Sequence, residues 1–158
     1  MDVSKTGGLV KLKINGQTKE VSIRFADTLL FTLREQLGLM GAKPSCHNGD
    51  CGACTILIDE IPFNACHLLT AEVIGKNITT IEGLKDITVQ EAFIKHWALQ
   101  CGYCTPGFIL NTYALVKSKP NATDKEIDEW LDSNICRCTG YQEIKAAVKS
   151  VLQSGVSS

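Results

Sequence analysis

The chain carries eight cysteines, and their spacing divides them into two groups of four. The first group follows C-x4-C-x2-C-x11-C and consists of Cys46, Cys51, Cys54 and Cys66. The second group follows C-x2-C-x31-C-x-C and consists of Cys101, Cys104, Cys136 and Cys138. Four thiolates can hold a metal ion or an iron–sulfur cluster, and paired thiols can form disulfides. The residue types and their spacing therefore indicate metal or redox chemistry.

The spacing of the first group is specific. C-x4-C-x2-C followed by a more distant cysteine is typical of plant-type [2Fe-2S] ligation, in which four thiolates share two irons. The loop around such an anionic cluster must wrap closely and point backbone N–H groups inward. Gly49 and Gly52 lie within "CHNGDCGAC" and permit the backbone dihedrals that this requires. The spacing predicts a plant-type cluster held by the first group.

The second group is less diagnostic from spacing alone. A thioredoxin-like C-x-x-C stands alone after a strand, whereas "CGYC" lies between two helical segments and is followed by "CRC". Short connections between helices can bring these two pairs together near helix N-termini. There the unpaired N–H groups and the helix dipole favour an anionic cluster.

Three other uses of the cysteines fit less well. A disulfide framework is typical of secreted chains, and the N-terminal "MDVSKTGG" lacks the apolar core of a secretion signal. Zinc ribbons and knuckles pair one C-x2-C with another, unlike the x4 gap or the C-x-C found here. A Rieske centre needs two histidine ligands, and His47 and His67 are more simply interpreted as loop or surface residues.

Composition limits the partners. The hydrophobic fraction is 44%, the charged fraction 21% and the net charge -1, as in an ordinary soluble globular protein. Such a charge implies neither nucleic acid nor an anionic membrane as a partner. No apolar stretch approaches the ~20 residues of a membrane span. The sequence therefore predicts a cytoplasmic protein without a membrane span.

Residues 1–80, the β-rich half, have the pattern of a small α+β unit. Alternating apolar residues on both sides of Asn15-Gly16 predict a β-hairpin with one buried face formed by Val10, Leu12, Ile14, Val21, Ile23 and Phe25. Asp27 is a plausible N-cap for an amphipathic helix that crosses the sheet. Further short β-prone runs complete a mixed sheet.

Residues 81–158, the helical half, change to helical periodicity. Thr105 is the expected N-cap of a helix with Pro106 at its first position, and Thr123 and Glu126 form a capping box. Four helices with short connections predict an all-α domain. Trp97 and Trp130 lie in helical apolar stripes and are expected in the core.

Three motifs occur together in this order: "CHNGDCGACT", "QCGYCTPG" and "NICRCTGY". Together they resemble the small iron–sulfur subunit of the molybdenum hydroxylases, the xanthine dehydrogenase and aldehyde oxidase family. The resemblance covers all but the first several and last few residues, and no cysteine departs from the family pattern. It implies an N-terminal β-grasp, ferredoxin-like domain with the plant-type cluster on the first group of cysteines. It also implies a four-helix domain with a second [2Fe-2S] cluster on the second group.

The resemblance further implies that the chain relays single electrons and has no substrate site of its own. The second cluster would face a molybdopterin cofactor, in a dinucleotide form, on a large subunit, and the plant-type cluster would face FAD on a medium subunit. A dimer of heterotrimers is the expected assembly. Gln100, which precedes the first cysteine of "QCGYC", is the expected pterin contact because an amide can donate and accept hydrogen bonds. An ordinary helix-end glutamine is the alternative.

Two other function classes remain open. A free ferredoxin-like carrier is expected to be strongly acidic so that it docks through charge, and a net charge of -1 disfavours it. A zinc-stabilised interaction module is disfavoured by the cysteine spacing. The substrate depends on residues of another polypeptide, and a purine or related N-heterocycle is preferred only because such hydroxylases are common.

Overall fold

A computed structural model describes residues 7–154 of the chain. Strands β1 (Gly7–Ile14) and β2 (Gln17–Arg24) form the predicted antiparallel hairpin. Asn15 and Gly16 turn the chain with φ angles of 53° and 76°, values that match the primed turns of two-residue hairpins. Most of the predicted inner face is buried, but the Phe25 side chain beyond the end of β2 is 51% exposed.

The hairpin belongs to a five-stranded mixed sheet with the order β2-β1-β5-β3-β4. The remaining strands are β3 (Thr55–Ile58), β4 (Ile61–Asn64) and β5 (Asn77–Thr79). Strand β5 lies parallel to β1 and antiparallel to β3, so it joins the two hairpins into one sheet. All four residues of β3 are buried, because Ile56 and Ile58 on one face of the strand join the core of the β-rich half and Leu57 on the other face packs against a helix.

Helix α1 (Leu29–Phe31) continues as a π-helical turn over Thr32–Gln36 and packs its leucines on the sheet. The expected N-cap at Asp27 is wrong by one residue. Thr28 Oγ1 accepts the Phe31 N–H at 3.2 Å and is the cap. The Asp27 carboxylate instead accepts the Arg24 backbone N–H and its guanidinium, at 2.8 and 2.7 Å. The carboxylate therefore secures the end of the hairpin.

The helical half contains the four predicted helices. They are α2 (Thr88–Lys95), α3 (Thr105–Ser118), α4 (Asp124–Leu131) and α5 (Gln142–Ser154). Helix α3 is central, since it packs on β3 as well as on the other three helices. The predicted capping box is confirmed at Thr123 and Glu126. The expected N-cap at Thr105 is wrong by one residue, because α3 begins at Thr105 and the N-cap position is Cys104, whose side chain makes no capping hydrogen bond. The predicted α+β fold class is confirmed.

The two tryptophans differ in their surroundings. Trp130 is half-buried, and its Nε1 donates to the Asn111 carbonyl at 3.0 Å. Trp97 was expected in the core and is 82% exposed, so that expectation is wrong. Helix α2 ends at Lys95, and Trp97 takes a φ of 56°, which breaks the helical periodicity and turns its side chain outward. None of the helices within residues 7–154 has the length and apolarity needed to cross a bilayer.

Candidate metal centres

The first candidate centre is formed by the segments that precede β3 and follow β4. Cys46, Cys51 and Cys54 occupy the loop before β3, and Cys66 lies in a 3-10 turn directly after β4. The Cys51 N–H donates to Cys46 Sγ at 3.4 Å, and the Cys66 N–H donates to Cys54 Sγ at 3.5 Å. Because β3 and β4 are paired from Thr55 to Asn64, the cysteines that flank this hairpin are held side by side.

The loop of the first centre is shaped to stabilise negative charge on sulfur. Gly49 and Gly52 have φ angles of 87° and 66°, which let the backbone curl around the sulfur atoms. Burial opposes ionisation of Cys46, but the N–H groups of Asn48, Cys51 and Asp50 overcome it and lower its pKa to about 6. This geometry fits an anionic cluster, as the sequence predicted.

The net pKa shift at Cys54 is opposite to that at Cys46, because burial dominates there. Burial raises the pKa of that thiol to about 12, and the neighbouring Cys66 and Cys51 thiols add to the shift. A cation or a cationic cluster core is therefore needed to keep a thiolate there. Within this centre the pKa of Cys46 is thus lowered and that of Cys54 is raised.

The second candidate centre is assembled from two separate segments. Cys101 and Cys104 lie just before α3, and Cys136 and Cys138 lie between α4 and α5. Cys101 Sγ and Cys138 Sγ are 3.7 Å apart. Burial and a hydrogen bond with Cys136 raise the pKa of Cys104 to about 12, so these two thiols are also neighbours. Helix packing thus joins the two pairs that the sequence separates.

Residues of "CRCTGY" hold Cys136 in place. Thr139 donates to its sulfur from Oγ1 at 3.1 Å and from its backbone N–H at 3.5 Å. These bonds lower the pKa of Cys136 against the effect of burial. The Cys136 N–H donates to the Tyr141 hydroxyl at 3.0 Å. Sequence reasoning missed Thr139 and Tyr141, although a hydroxyl next to a cysteine pair was a signal for such a role.

The donor sets fit [2Fe-2S] clusters. All eight cysteines are free thiols, and each centre contains two pairs of neighbouring sulfurs. In a [2Fe-2S] cluster each iron takes two protein ligands, so two pairs per centre satisfy it. Within residues 7–154 no group of three or more His, Cys, Asp or Glu side chains is arranged for a single metal ion.

Known protein families match both halves of the chain. Residues 12–74 match the model of a 2Fe-2S iron-sulfur cluster binding domain, and residues 80–149 match that of a [2Fe-2S] binding domain. The nicotine 6-hydroxylase small subunit of Paenarthrobacter nicotinovorans is 42% identical over 142 residues, which cover 88% of this chain and 86% of that relative. The chain belongs to the small iron–sulfur subunits of the molybdenum hydroxylases.

Two further comparisons agree. The aldehyde oxidoreductase iron-sulfur-binding subunit of Escherichia coli is 43% identical over 157 residues, covering 87% of this small subunit and 69% of the relative. The crystal structure of quinoline 2-oxidoreductase from Pseudomonas putida 86 superposes with a TM-score of 0.86 at 34% identity, covering 95% of the small subunit and 98% of the matched chain. The predicted family and the role as the iron–sulfur subunit of an oxidoreductase are confirmed.

The second centre of the small subunit opens to the surface. Cys101 and Cys138 are exposed, Cys104 is partly exposed and Cys136 is buried. Gln100 is exposed beside them, and its Nε2 donates to the Cys138 carbonyl at 3.2 Å. The predicted contact residue is thus anchored to the ligand loop, at the edge where the centre meets solvent.

The loops that carry the two cysteine groups touch each other. The Ile135 N–H donates to the Cys51 carbonyl at 3.0 Å, and Asn134 Nδ2 donates to the Gly52 carbonyl at 2.9 Å. The Tyr103 hydroxyl donates to the Pro44 carbonyl. A cavity of about 200 Å³ is lined by residues of both loops, among them Cys51, Cys101 and Cys136. The sequence carried no signal for this contact.

Proposed function

We propose that the small subunit relays single electrons through two [2Fe-2S] clusters. The plant-type cluster is held by Cys46, Cys51, Cys54 and Cys66, and the second is held by Cys101, Cys104, Cys136 and Cys138. The observation that carries this proposal is the direct hydrogen bond from Ile135 to Cys51, which connects the two ligand loops. Family matches to a cluster-binding domain on each half of the chain support it further.

Each cluster, when bound, supplies a one-electron redox centre whose potential depends on hydrogen bonds to sulfur and on exposure. The residues of the chain set both quantities. Backbone N–H groups stabilise the sulfur of Cys46, and Thr139 stabilises that of Cys136. Cys54 and Cys66 are buried at one centre, whereas Cys101 and Cys138 are exposed at the other.

We infer that the second centre faces molybdopterin, in a dinucleotide form, on a large subunit, and that the first faces FAD on a medium subunit. Support for this orientation comes from the exposed pair Cys101 and Cys138 and from Gln100 beside them. Gln100 has one N–H bonded within the chain and an exposed side chain with further hydrogen-bonding capacity. Replacement by Ala in the complete complex tests this contact, and unchanged pterin retention and turnover would discard it.

The remaining parts of the proposal concern the whole enzyme. We place the domain boundary at residues 80 and 81, the protein in the cytoplasm and the assembly as a dimer of heterotrimers. A nitrogen heterocycle is the proposed substrate class, and the relatives named for nicotine and quinoline support it. An aldehyde is the second candidate, supported by the relative from Escherichia coli. Capture of the tagged subunit from its host should return two larger chains in fixed ratio.

Electron paramagnetic resonance of the dithionite-reduced protein tests the relay itself. Two distinct spin-one-half signals and about four irons per chain, the content of two [2Fe-2S] centres, are expected. Iron and zinc are assayed on the same sample. A silent spectrum with zinc in place of iron would overturn the proposal in favour of a structural module.

A further inference from the structure

Asn134 is a buried polar residue that bridges the two halves of the small subunit. It is 2% exposed and lies two residues before Cys136. Its Nδ2 donates to the Gly52 carbonyl at 2.9 Å and reaches Thr55 Oγ1 at 3.4 Å. Both partners belong to the β-rich half and lie next to ligands of the first centre.

The orientation of the Asn134 amide is fixed by its partners. Its Oδ1 accepts from Asn111 Nδ2 at 2.9 Å and from Ser133 Oγ at 3.0 Å. The amide therefore has partners on both its Nδ2 and its Oδ1 sides, and the single hydroxyl hydrogen of Ser133 is shared between Oδ1 and the Trp130 carbonyl oxygen, which lies 2.9 Å from Ser133 Oγ. The opposite orientation would place Oδ1 against the Gly52 carbonyl oxygen, where two acceptors repel each other.

The Gly52 peptide is closely packed on both sides, with no space for an added side chain. A Cβ atom at Gly52 would lie 2.2 Å from Asn134 Nδ2 and 2.5 Å from the Ser133 carbonyl oxygen. A Cβ atom at Gly107, in the first turn of α3, would lie 2.2 Å from the Gly52 carbonyl oxygen. The Gly52 peptide is thus enclosed between α3 and Asn134.

The residue after Asn134 connects the two ligand loops. The Ile135 N–H donates to the Cys51 carbonyl at 3.0 Å, and Ile135 is bonded directly to Cys136. One hydrogen bond and the backbone of one residue therefore separate Cys51 of the first centre from Cys136 of the second. Electronic coupling between redox centres falls steeply when a hydrogen bond is replaced by a gap through space. The position of this hydrogen bond consequently affects the electronic coupling between the two centres.

We propose that Asn134 is a positioning residue that keeps the Ile135–Cys51 hydrogen bond in place and thereby sets the coupling between the two centres. The inference rests on the proposed relay function and assigns Asn134 a part in it. One electron leaves one centre and arrives at the other in each transfer. No covalent bond forms or breaks, and no proton or further reactant is needed.

Asn134→Asp tests the proposal, because it keeps the shape of the side chain and removes its donor to Gly52. The full chain with its clusters is reduced with dithionite, and the magnetic interaction between its two paramagnetic centres is measured. We expect the splitting of the two signals to narrow in the variant while iron content stays at the wild-type value. In the same protein, hydrogen exchange of the Ile135 amide should become roughly tenfold faster, as for loss of one hydrogen bond of ordinary net strength.

Two variants serve as controls. Asn121→Asp makes the same chemical change at an exposed position of the helical half, and Thr123→Ala removes the capping box of α4. Neither should change the splitting or the exchange of the Ile135 amide, although Thr123→Ala lowers stability. A role of Asn134 in stability alone would move neither quantity beyond these controls.

If Asn134→Asp loses its clusters, Gly107→Ala gives an independent test because its added methyl group displaces the Gly52 carbonyl from the other side. The expected result is again a narrower splitting and faster Ile135 exchange. Gly8→Ala, at a position with open space, is its control. A variant that retains both clusters with the wild-type splitting and exchange overturns the proposal for Asn134. Absence of two cluster signals in the wild type would instead overturn the relay function.

Discussion

In the β-rich half, three of the four candidate ligands lie within residues 46–54 and the fourth follows one hairpin later. In the helical half, the two pairs of thiols are separated along the chain by the whole of α3 and α4. The first centre is therefore formed by one loop and a tight strand pairing, whereas the second exists only once the helices have packed.

The two centres also differ in what surrounds the sulfur atoms. Backbone N–H groups of its own loop stabilise Cys46, whereas side chains of "CRCTGY" serve Cys136. The first centre buries two of its thiols, and the second leaves two exposed. The first centre is therefore more enclosed than the second.

Replacement of one candidate ligand in each centre by serine should reveal the largest difference between the two halves. Cys54→Ser should abolish the first cluster, lower iron from about four to about two per chain and unfold the β-rich half, because Cys54 is buried beneath its loop. The Cys138→Ser variant should lose the same amount of iron, here from the second centre. Its helical core should stay largely folded, since Cys138 is exposed. Iron assay and segment-resolved hydrogen exchange distinguish these results. Equal loss of exchange protection in both variants would contradict the prediction.

A methyl group added to each cysteine loop should produce a smaller difference, seen in the free energy of unfolding. Gly52 and Gly102 both have positive φ angles, of 66° and 80°. A Cβ atom at Gly52 would clash with Asn134, whereas a Cβ atom at Gly102 would point into open space. Gly52→Ala should lower the free energy of unfolding by about 3 kcal/mol, and Gly102→Ala should lower it by about 1 kcal/mol from backbone strain alone. Urea denaturation measures both values, and similar losses would show that the contact at Gly52 is loose.

Acid should weaken the β-rich half through Asp27. Burial raises the pKa of this carboxyl, but the Arg24 N–H and guanidinium outweigh burial and hold it below its ordinary value. The resulting stability is complete above the unfolded pKa of about 3.9 and is lost as pH falls through the lower folded pKa. Asp27→Asn should cost about 1–2 kcal/mol at pH 7.

The same variant should flatten the decline in stability below about pH 4, where the Asp27 carboxyl of the unfolded wild-type chain takes up a proton before that of the folded chain does. Urea denaturation from pH 7 down to about pH 2.5 measures this dependence. Glu35→Gln, at an exposed position of the same half, is the control. An unchanged pH dependence in Asp27→Asn would contradict the assignment.

Removal of one charged side chain beside each centre should have the smallest effect. It should shift the reduction potentials of the two clusters in opposite directions. Arg137 and Asp50 are exposed and adjoin ligands of the second and first centres, respectively. Arg137→Gln should lower the potential of the second cluster, and Asp50→Asn should raise that of the first. Each shift should be at most about 40 mV, because an exposed charge contributes under about 1 kcal/mol and one-electron couples move 59 mV per tenfold change. Redox titration measures both potentials, and shifts of the same sign would contradict the prediction.

The local features of the chain could be predicted from the sequence. The Asn15-Gly16 turn and the Thr123–Glu126 capping box depend on neighbours within a few residues, and the structure has them as expected. Asp27 was mistaken for a cap because Arg24 competes for its carboxylate.

Contacts between distant residues could not be predicted in this way. The apolar stripe of the predicted helix included Trp97, but helix α2 ends at Lys95, before that residue. Asn134 bonds to Gly52 across 82 residues, and its neighbours in the sequence carry no sign of that partner. The second cysteine group was paired through family resemblance, since only helix packing brings its segments together.

The long separation between Cys66 and Asn134 has a consequence for biosynthesis. All four thiols of the first centre leave the ribosome before the 68 residues that end with Asn134. At translation rates of 5–20 residues per second, this interval lasts roughly 3–14 s. During that time the Cys51–Gly52 backbone has no Asn134 or Ile135 to cover it. The nascent chain therefore offers the first centre to a cluster donor before the helical half closes over its loop.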